Sequence, residues 1–487
     1  MLSPKYGYYI DKETFTGIEM KIRRKWATRE VLPPNTPAAL ATQPKVLNHY
    51  RSVSRSNYGL ARGLIPYIEK HILKVPTEYR WSDDEANSKF DKTPITELAA
   101  HQKIALNHII KSYNASKPIG DCLLQMETGL GKTRVGISLI GKLGRRTLVI
   151  VPTKHIAEQW KDEIEYLMPN IKVSMYTNKT NQLTNVNICV INTARKKPTD
   201  FYAQFGLVIF DEVHEYVSTQ SKHVLWNSSS ARYRLGLTAT PEYAGNGLLP
   251  FIEAHLGKAN YANMLEGFSV VAKYFNVSVD VYRYVGGSDY LTPVLNKANM
   301  VSTTDTISNM ISDPDRIDLL LSIIRSLYVS GKNILVFAEH RRFLDDLALK
   351  LCSNGNNGNN SNDDELSSIT INKDDLVLET DASVLKGGVT KDEINAAKTK
   401  RIIFTTYCYS RRGVSYDHLD TLVLASPRRS GSKQIIGRIL RYSSDVKIPR
   451  LIVDIWDVCS VVKSQFYDRK KIYNDRKYKT TYHLTST

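Results

Sequence analysis

Twice along this chain, short apolar runs alternate with stretches of helical spacing, and that alternation leaves few folds open. In the first block, residues 94–265, "DCLLQM" reads as a strand, "KTRVGISLIGKLG" as a helix, "RTLVIVP" as a strand and "KHIAEQWKDEIEYLM" as a helix with its charges on one face. "NICVIN", "FGLVIFDE" and "YRLGLTATP" continue as strands rich in β-branched residues. The second block, residues 300–460, repeats the scheme. There "PDRIDLLLSIIRSLYVSG" and "RRFLDDLALKLCS" are helices, and "KNILVFAEH", "KRIIFTTY", "DTLVLASP" and "RLIVDIWD" are strands. Apolar strands separated by amphipathic helices predict parallel sheets covered on both faces. The expected fold class is therefore α/β, with two tandem parallel-sheet domains.

The rest of the chain is organised around these blocks. Residues 1–93 form an accessory region in which "GLARGLIPYIEKHIL" fits a short helix or a packed loop. The polar stretch "YRWSDDEANSKFDKTP" reads as a linker. Residues 266–299 include "VVAKYFNVSVDVYRYV", whose alternation predicts an excursion from the first domain's edge or a link. "SNGNNGNNSNDDE", residues 353–365, is low in complexity and is expected to be a disordered surface loop. The tail, residues 461–487, alternates aromatic and basic residues. It suits stacking on bases, or packing onto the body through its tyrosines.

The balance of 66 Lys and Arg against 49 Asp and Glu, a net charge of +17, favours a polyanionic partner. Nucleic acid is the leading candidate, because neutralising phosphates releases counterions; a generally basic soluble surface is the alternative. No apolar run is long enough to span a bilayer, so no membrane partner is expected. "MLSPKYGYYIDKETF" lacks the apolar core of a secretory signal, which predicts an intracellular protein. The five cysteines are scattered without a C-x-x-C pair and suggest neither a zinc site nor a disulfide framework.

"QMETGLGKTR", residues 125–134, joins a strand to a helix. Backbone N–H groups close on a phosphate only where side chains stay clear, which accounts for Gly129 and Gly131 among Thr128, Leu130 and Arg134. The helix N-terminus adds its partial positive charge. Lys132 is placed to reach the β and γ phosphates, and the Thr133 hydroxyl to hold Mg²⁺, so ATP and Mg²⁺ are the expected cofactors. The common pattern G-x-x-x-x-G-K-[ST] has a small residue where this chain has Met126. In "VIFDEVH", Asp211 suits the water shell of Mg²⁺ and Glu212 suits activation of the attacking water. His214 bridges toward "LTATP", whose Thr238 and Thr240 can hydrogen-bond the acidic loop and relay the nucleotide state. In "QIIGRILR", Gln434, Arg438 and Arg441 recur at helical spacing on one face. Two arginines there suit a γ-phosphate approached from across a cleft.

In this order, the P-loop, "VPT", D-E-x-H, "TATP" and Q-x-x-G-R-x-x-R resemble the superfamily 2 helicases and translocases over residues 94–460. "TGLGKTR", "LVIVPTK", "INTARKKP", "YSRRG", "PRR" and "FYDRKKIY" bring the resemblance to the DExH enzymes of large cytoplasmic DNA viruses. These include the poxvirus transcript-release DNA helicases and their African swine fever virus relatives; repair helicases of the XPB and UvsW kind are cousins. The resemblance implies two RecA-like domains and ATP hydrolysis. It implies that Gln102 reads adenine, that Pro152, Thr153 and Lys154 contact a strand, and that Thr193 does so too. Arg412 and Gly413 match the motif linking DNA to ATP, although Ser415 stands where the family usually has Asp, with Asp417 nearby. Position 213 is Val where Ala is frequent.

The expected function is ATP-driven translocation on single-stranded or duplex DNA, with unwinding or displacement of a transcript; the resemblance implies a 3′-to-5′ direction. Its setting would be viral transcription, repair or replication, in the host cytoplasm, viral factory or virion; RNA or a transcribing polymerase stays open as a further partner. Phosphate contacts predict weak sequence preference. Two alternatives stay open: an RNA helicase acting on viral transcripts, and a non-catalytic ATP-binding clamp on nucleic acid.

Overall fold

The computed structural model describes residues 7–17, 19, 28–29, 46–47, 50–52, 57–65, 79–80, 97–115, 120–177, 182–217, 221–239, 249–257, 259–260, 275–352, 379–387, 389–410, 416–428, 431–440 and 447–484. Thr240, Arg412, Gly413, Ser415, Arg441 and residues 353–365 lie outside them. The chain divides into two units, Met1–Ser269 and Val270–Thr487.

The first unit is built on a seven-stranded parallel sheet. Its strands are β1 (Gly120–Gln125), β2 (Thr147–Val151), β3 (Val173–Tyr176), β4 (Val186–Val190), β5 (Leu207–Phe210), β6 (Tyr233–Thr238) and β7 (Ala259–Asn260), in the order β7-β1-β6-β5-β2-β4-β3. Every residue of β2 and β5 is buried, which is why these strands read as unbroken apolar runs. Helices α1 (Ala100–Ala115), α2 (Lys132–Leu143) and α3 (Lys154–Leu167) belong to this unit. In α3 the buried residues Ile156, Ala157, Trp160, Ile164 and Leu167 recur every three or four positions and face the core. Thr153 caps α3 by accepting from the Ile156 N–H at 3.4 Å.

The accessory region is integrated into this unit. Gly7–Asp11, Tyr50–Ser52, Asn57–Leu60 and Tyr79–Arg80 make a four-stranded sheet with antiparallel pairing. Phe15, Leu60, Ala61 and Leu64 share a hydrophobic cluster with Phe210 and Tyr216. Arg62, fully buried, donates to Asp121 at 2.8 Å and to the carbonyls of Ser229 at 2.8 Å and Arg232 at 2.9 Å. Arg234 donates to the same Asp121 at 2.8 and 3.2 Å. Gly63 is a close approach: an added Cβ would sit 2.6 Å from the Gly257 nitrogen. Within the segment read as a short helix or packed loop, the described residues hold a 3₁₀ turn, Arg62–Leu64, seated on the base of the first sheet; residues 66–73 lie outside them.

The second unit holds another seven-stranded parallel sheet. Its strands are β8 (Val277–Tyr284), β9 (Ile334–Ala338), β10 (Ala382–Leu385), β11 (Ile402–Thr406), β12 (Thr421–Leu424), β13 (Arg450–Asp457) and β14 (Lys479–Leu484), in the order β10-β11-β9-β12-β13-β8-β14. Helices α4 (Pro314–Val329), α5 (Arg341–Cys352), α6 (Ser432–Ile436) and α7 (Lys463–Asp475) accompany it.

One segment differs from its sequence reading, and another follows one of its two. The alternating stretch within residues 266–299 supplies β8, paired in parallel with β13 along its full length and with β14 on its other side. The tail packs on the body: Arg469 forms a two-pronged pair with Asp454 at 2.8 and 2.8 Å, and the Tyr473 hydroxyl donates to the same carboxylate at 2.8 Å. A second buried fork joins Arg316 of α4 to Asp457 at 2.6 and 3.0 Å.

Candidate active site

All strands of the first sheet run parallel, so the loops leaving their C-terminal ends share one edge. Neighbouring strands β1, β6 and β5 carry the glycine loop, Thr238 and the acidic pair. On the other half, β2 leads into Pro152, Thr153 and Lys154, and β4 into Thr193. The strand order therefore sorts the predicted phosphate-facing residues from the predicted strand-contacting ones.

The glycine loop has the backbone its sequence requires. Gly129 and Gly131 have φ of 88° and 83°, in the left-handed region that a side chain disfavours. A Cβ on Gly131 would also collide with the Gln102 amide. Gln102 and His101, both buried, reach the Leu130 carbonyl at 3.0 Å each, and the Ala99 N–H donates to Gln102 Oε1 at 3.1 Å. Gln102 therefore holds the loop's backbone.

Lys132 opens α2 and lies 3.9 Å from Glu212 Oε1. Thr133 and Arg134 follow on the first turn, and Arg134 pairs with Glu163 of α3 at 2.9 Å. Glu212 has a φ of 47°, a left-handed conformation that costs about 1–3 kcal/mol in a non-glycine residue. Its Oε2 is buried with no hydrogen-bond partner and lies 3.4 Å from His214 Nδ1. That nitrogen is 2.9 Å from the Thr238 hydroxyl, so His214 bridges the acidic loop to the end of β6. The expected contact of "LTATP" with the acidic loop is thus made by Thr238.

Asp211 is buried beneath this layer. One carboxylate oxygen accepts from the Trp160 indole N–H at 2.9 Å and the other from the Glu212 N–H at 3.0 Å. Burial, reinforced by the Glu212 charge, pushes its carboxyl up to about 6, against the opposing effects of Trp160 and Lys132. A cation placed here would favour the ionised form. The residues fit Mg²⁺ with a nucleotide: an oxygen donor set from Thr133 and Asp211, an orphaned carboxylate oxygen nearby on Glu212, and a glycine cradle that a Cβ would fill. Bound there, Mg²⁺ would neutralise phosphate charge.

In the second unit, Gln434 lies in α6, preceded by Gly431 with a φ of 84°. The helix ends at Ile436, so the shared face predicted for Gln434, Arg438 and Arg441 is not one continuous helix. Arg438 sits in the following turn, its N–H bonded to the Ile435 carbonyl at 3.0 Å, and is buried. Trp160 is the functional neighbour that sequence reading missed. Its spacing marks it as a core residue of an amphipathic helix, and nothing local shows that its N–H reaches Asp211.

A glycine loop, a lysine at a helix start and an acidic pair at one edge of a parallel sheet define a P-loop nucleotide hydrolase. The family described as type III restriction enzyme, res subunit, matches residues 95–243. An African swine fever virus protein named "Putative ATP-dependent RNA helicase QP509L" is 36% identical over 380 residues, covering 74% of this chain and 70% of its own. A mimivirus protein of the same designation, L396, is 26% identical over 491 residues, covering 97% of this chain and 85% of its own. The "DNA 3'-5' translocase XPB2" of Sulfurisphaera tokodaii is 29% identical over 120 residues, covering 25% of this chain and 27% of its own. The chain belongs to the superfamily 2 helicases, in the viral group that the African swine fever virus protein represents, and is an ATP hydrolase.

Proposed function

We propose that this enzyme is a DNA translocase that uses ATP hydrolysis to move along a strand and to separate duplexes or displace a bound transcript during viral transcription. The reading is carried by the sheet edge at which the glycine loop and acidic pair stand beside the loops holding Pro152–Lys154 and Thr193. DNA as the track is supported by the likeness to a protein named a DNA translocase. The names of the viral relatives favour RNA instead, and the same assay decides between them.

In this reading Lys132, Thr133 and Asp211 hold the phosphates and Mg²⁺, Glu212 takes the proton of the attacking water, and Gln102 meets the base. His214, Thr238 and Thr240 relay the nucleotide state. Pro152, Thr153, Lys154, Thr193 and Arg412 meet the strand, and Gly413 serves the nucleotide. Gln434, Arg438 and Arg441 act on the γ-phosphate.

The test is ATP turnover without nucleic acid and with single-stranded DNA, duplex DNA and single-stranded RNA. Stimulation by DNA that disappears in Glu212→Gln is expected. Stimulation by RNA alone would replace DNA with RNA as the track, and no turnover on any of them would leave a clamp. Arg441→Ala is expected to bind ATP normally and to turn over about 10³-fold more slowly or worse, as when an arginine finger is lost. Equilibrium nucleotide binding beside steady-state turnover checks this.

A further inference from the structure

Helix α3 touches the nucleotide half of the sheet edge at three places while its own N-terminus stands in the other half. Trp160, 1% exposed, donates its indole N–H to Asp211 at 2.9 Å. The rim of the same indole rests on Gly136 of α2, where an added Cβ would lie 2.7 Å from Cη2. Nearly one turn further on, Glu163 accepts from Arg134 of α2 at 2.9 Å. At the other end, Thr153 caps the helix and Lys154 is exposed. From Thr153 to Trp160 is about 10 Å at 1.5 Å per residue. Ile156, Ala157, Ile164 and Leu167 pin the inner face, and close-packed cores transmit displacement more readily than they absorb it.

We propose that Trp160 is a positioning residue that couples a nucleic-acid strand at the head of α3 to the placement of Asp211, so that strand and Mg²⁺-nucleotide each tighten the binding of the other. The inference rests on the strand-contacting role proposed for Thr153 and Lys154. The donated N–H fixes the rotation of the Asp211 carboxylate, because the second oxygen is already held by the Glu212 N–H. A shift of α3 therefore turns the carboxylate that faces the cation.

The experiment uses the full chain and a short fluorescein-labelled single-stranded oligodeoxynucleotide, with a matching oligoribonucleotide in parallel. Its Kd is read by anisotropy without nucleotide, with AMP-PNP and Mg²⁺, and with AMP-PNP and EDTA. The wild type should show a Mg²⁺-dependent coupling factor in the range of about 5- to 150-fold on at least one oligonucleotide. Trp160→Phe keeps a ring and loses the N–H; its factor should fall to about one, with thermal unfolding still cooperative. Gly136→Ala keeps the N–H but displaces the indole, and should lose the factor likewise. A folded Trp160→Phe with the wild-type factor overturns the proposal. If Trp160→Phe does not fold, Gly136→Ala decides by the same rule. A wild-type factor of one with both oligonucleotides overturns the proposal together with the functional reading, an outcome distinct from a variant that keeps its coupling.

Discussion

Lys132→Ala is expected to lose ATP turnover by about 10²–10³-fold or more, the scale on which removing one preorganised donor of charge stabilisation acts. Lys132 is the first residue of α2, at the end of the helix where unpaired N–H groups already favour an anion. Its ammonium lies 3.9 Å from Glu212, so the side chain is held toward the acidic pair rather than spread into solvent. In the proposed reading, removing it takes away the positive charge placed against the β and γ phosphates. It also leaves Glu212 facing Asp211 without a compensating cation. Lys132→Arg is expected to fail as well, because a planar fork does not replace a compact ammonium in a loop built around glycines. Single-turnover hydrolysis measured beside nucleotide binding checks both variants, and full turnover in Lys132→Ala would remove the lysine from the catalytic site.

Asp121→Ala should destabilise the first unit by about 3–5 kcal/mol, because it strands two buried guanidinium groups without their shared carboxylate. Arg62 and Arg234 are fully buried, and both bond Asp121. Burial raises the Asp121 carboxyl, but Arg234 and Arg62 together outweigh burial and hold it below its ordinary value. The direction fixes the pH dependence. A depressed carboxyl contributes stability that is complete above its unfolded value of about 3.9 and drains away as pH falls through the lower folded value. The gap in urea midpoint between wild type and Asp121→Asn should therefore be flat from neutral pH to about pH 4 and narrow only in stronger acid. A gap that closed between neutral pH and that point would show that another group governs it.

The two sheets were legible because their central strands are buried on both faces and print as near-continuous apolar runs. "LVIF" carries no polar position, and "TLVIV" only Thr147 at its start. The glycine loop and acidic pair were legible because phosphate chemistry confines both residue type and spacing. The pairing of β8 was not, since its alternation announces a strand and says nothing of partners more than 150 residues away in the chain. Arg62 is one of 66 basic residues, and its carboxylate partner lies 59 positions further along. No local pattern distinguishes it from a solvated arginine. The arginine face is described only in part, because Arg441 lies outside the described residues. Helical spacing places Gln434, Arg438 and Arg441 together only if the helix lasts, and α6 stops at Ile436.

The Arg62 contact ties the fate of the accessory region to that of the nucleotide site. Asp121 is the second residue of β1, and the same strand delivers the glycine loop at its other end. The accessory turn cannot lift away without uncovering a buried triad of charges at the foot of that strand. The two should open as one cooperative unit, with amide exchange at residues 57–65 slowed to match that of residues 120–125. A fragment trimmed to start at residue 94, where the recognisable motifs begin, would keep every catalytic side chain of the first unit and lose the fastening of the strand that aims them.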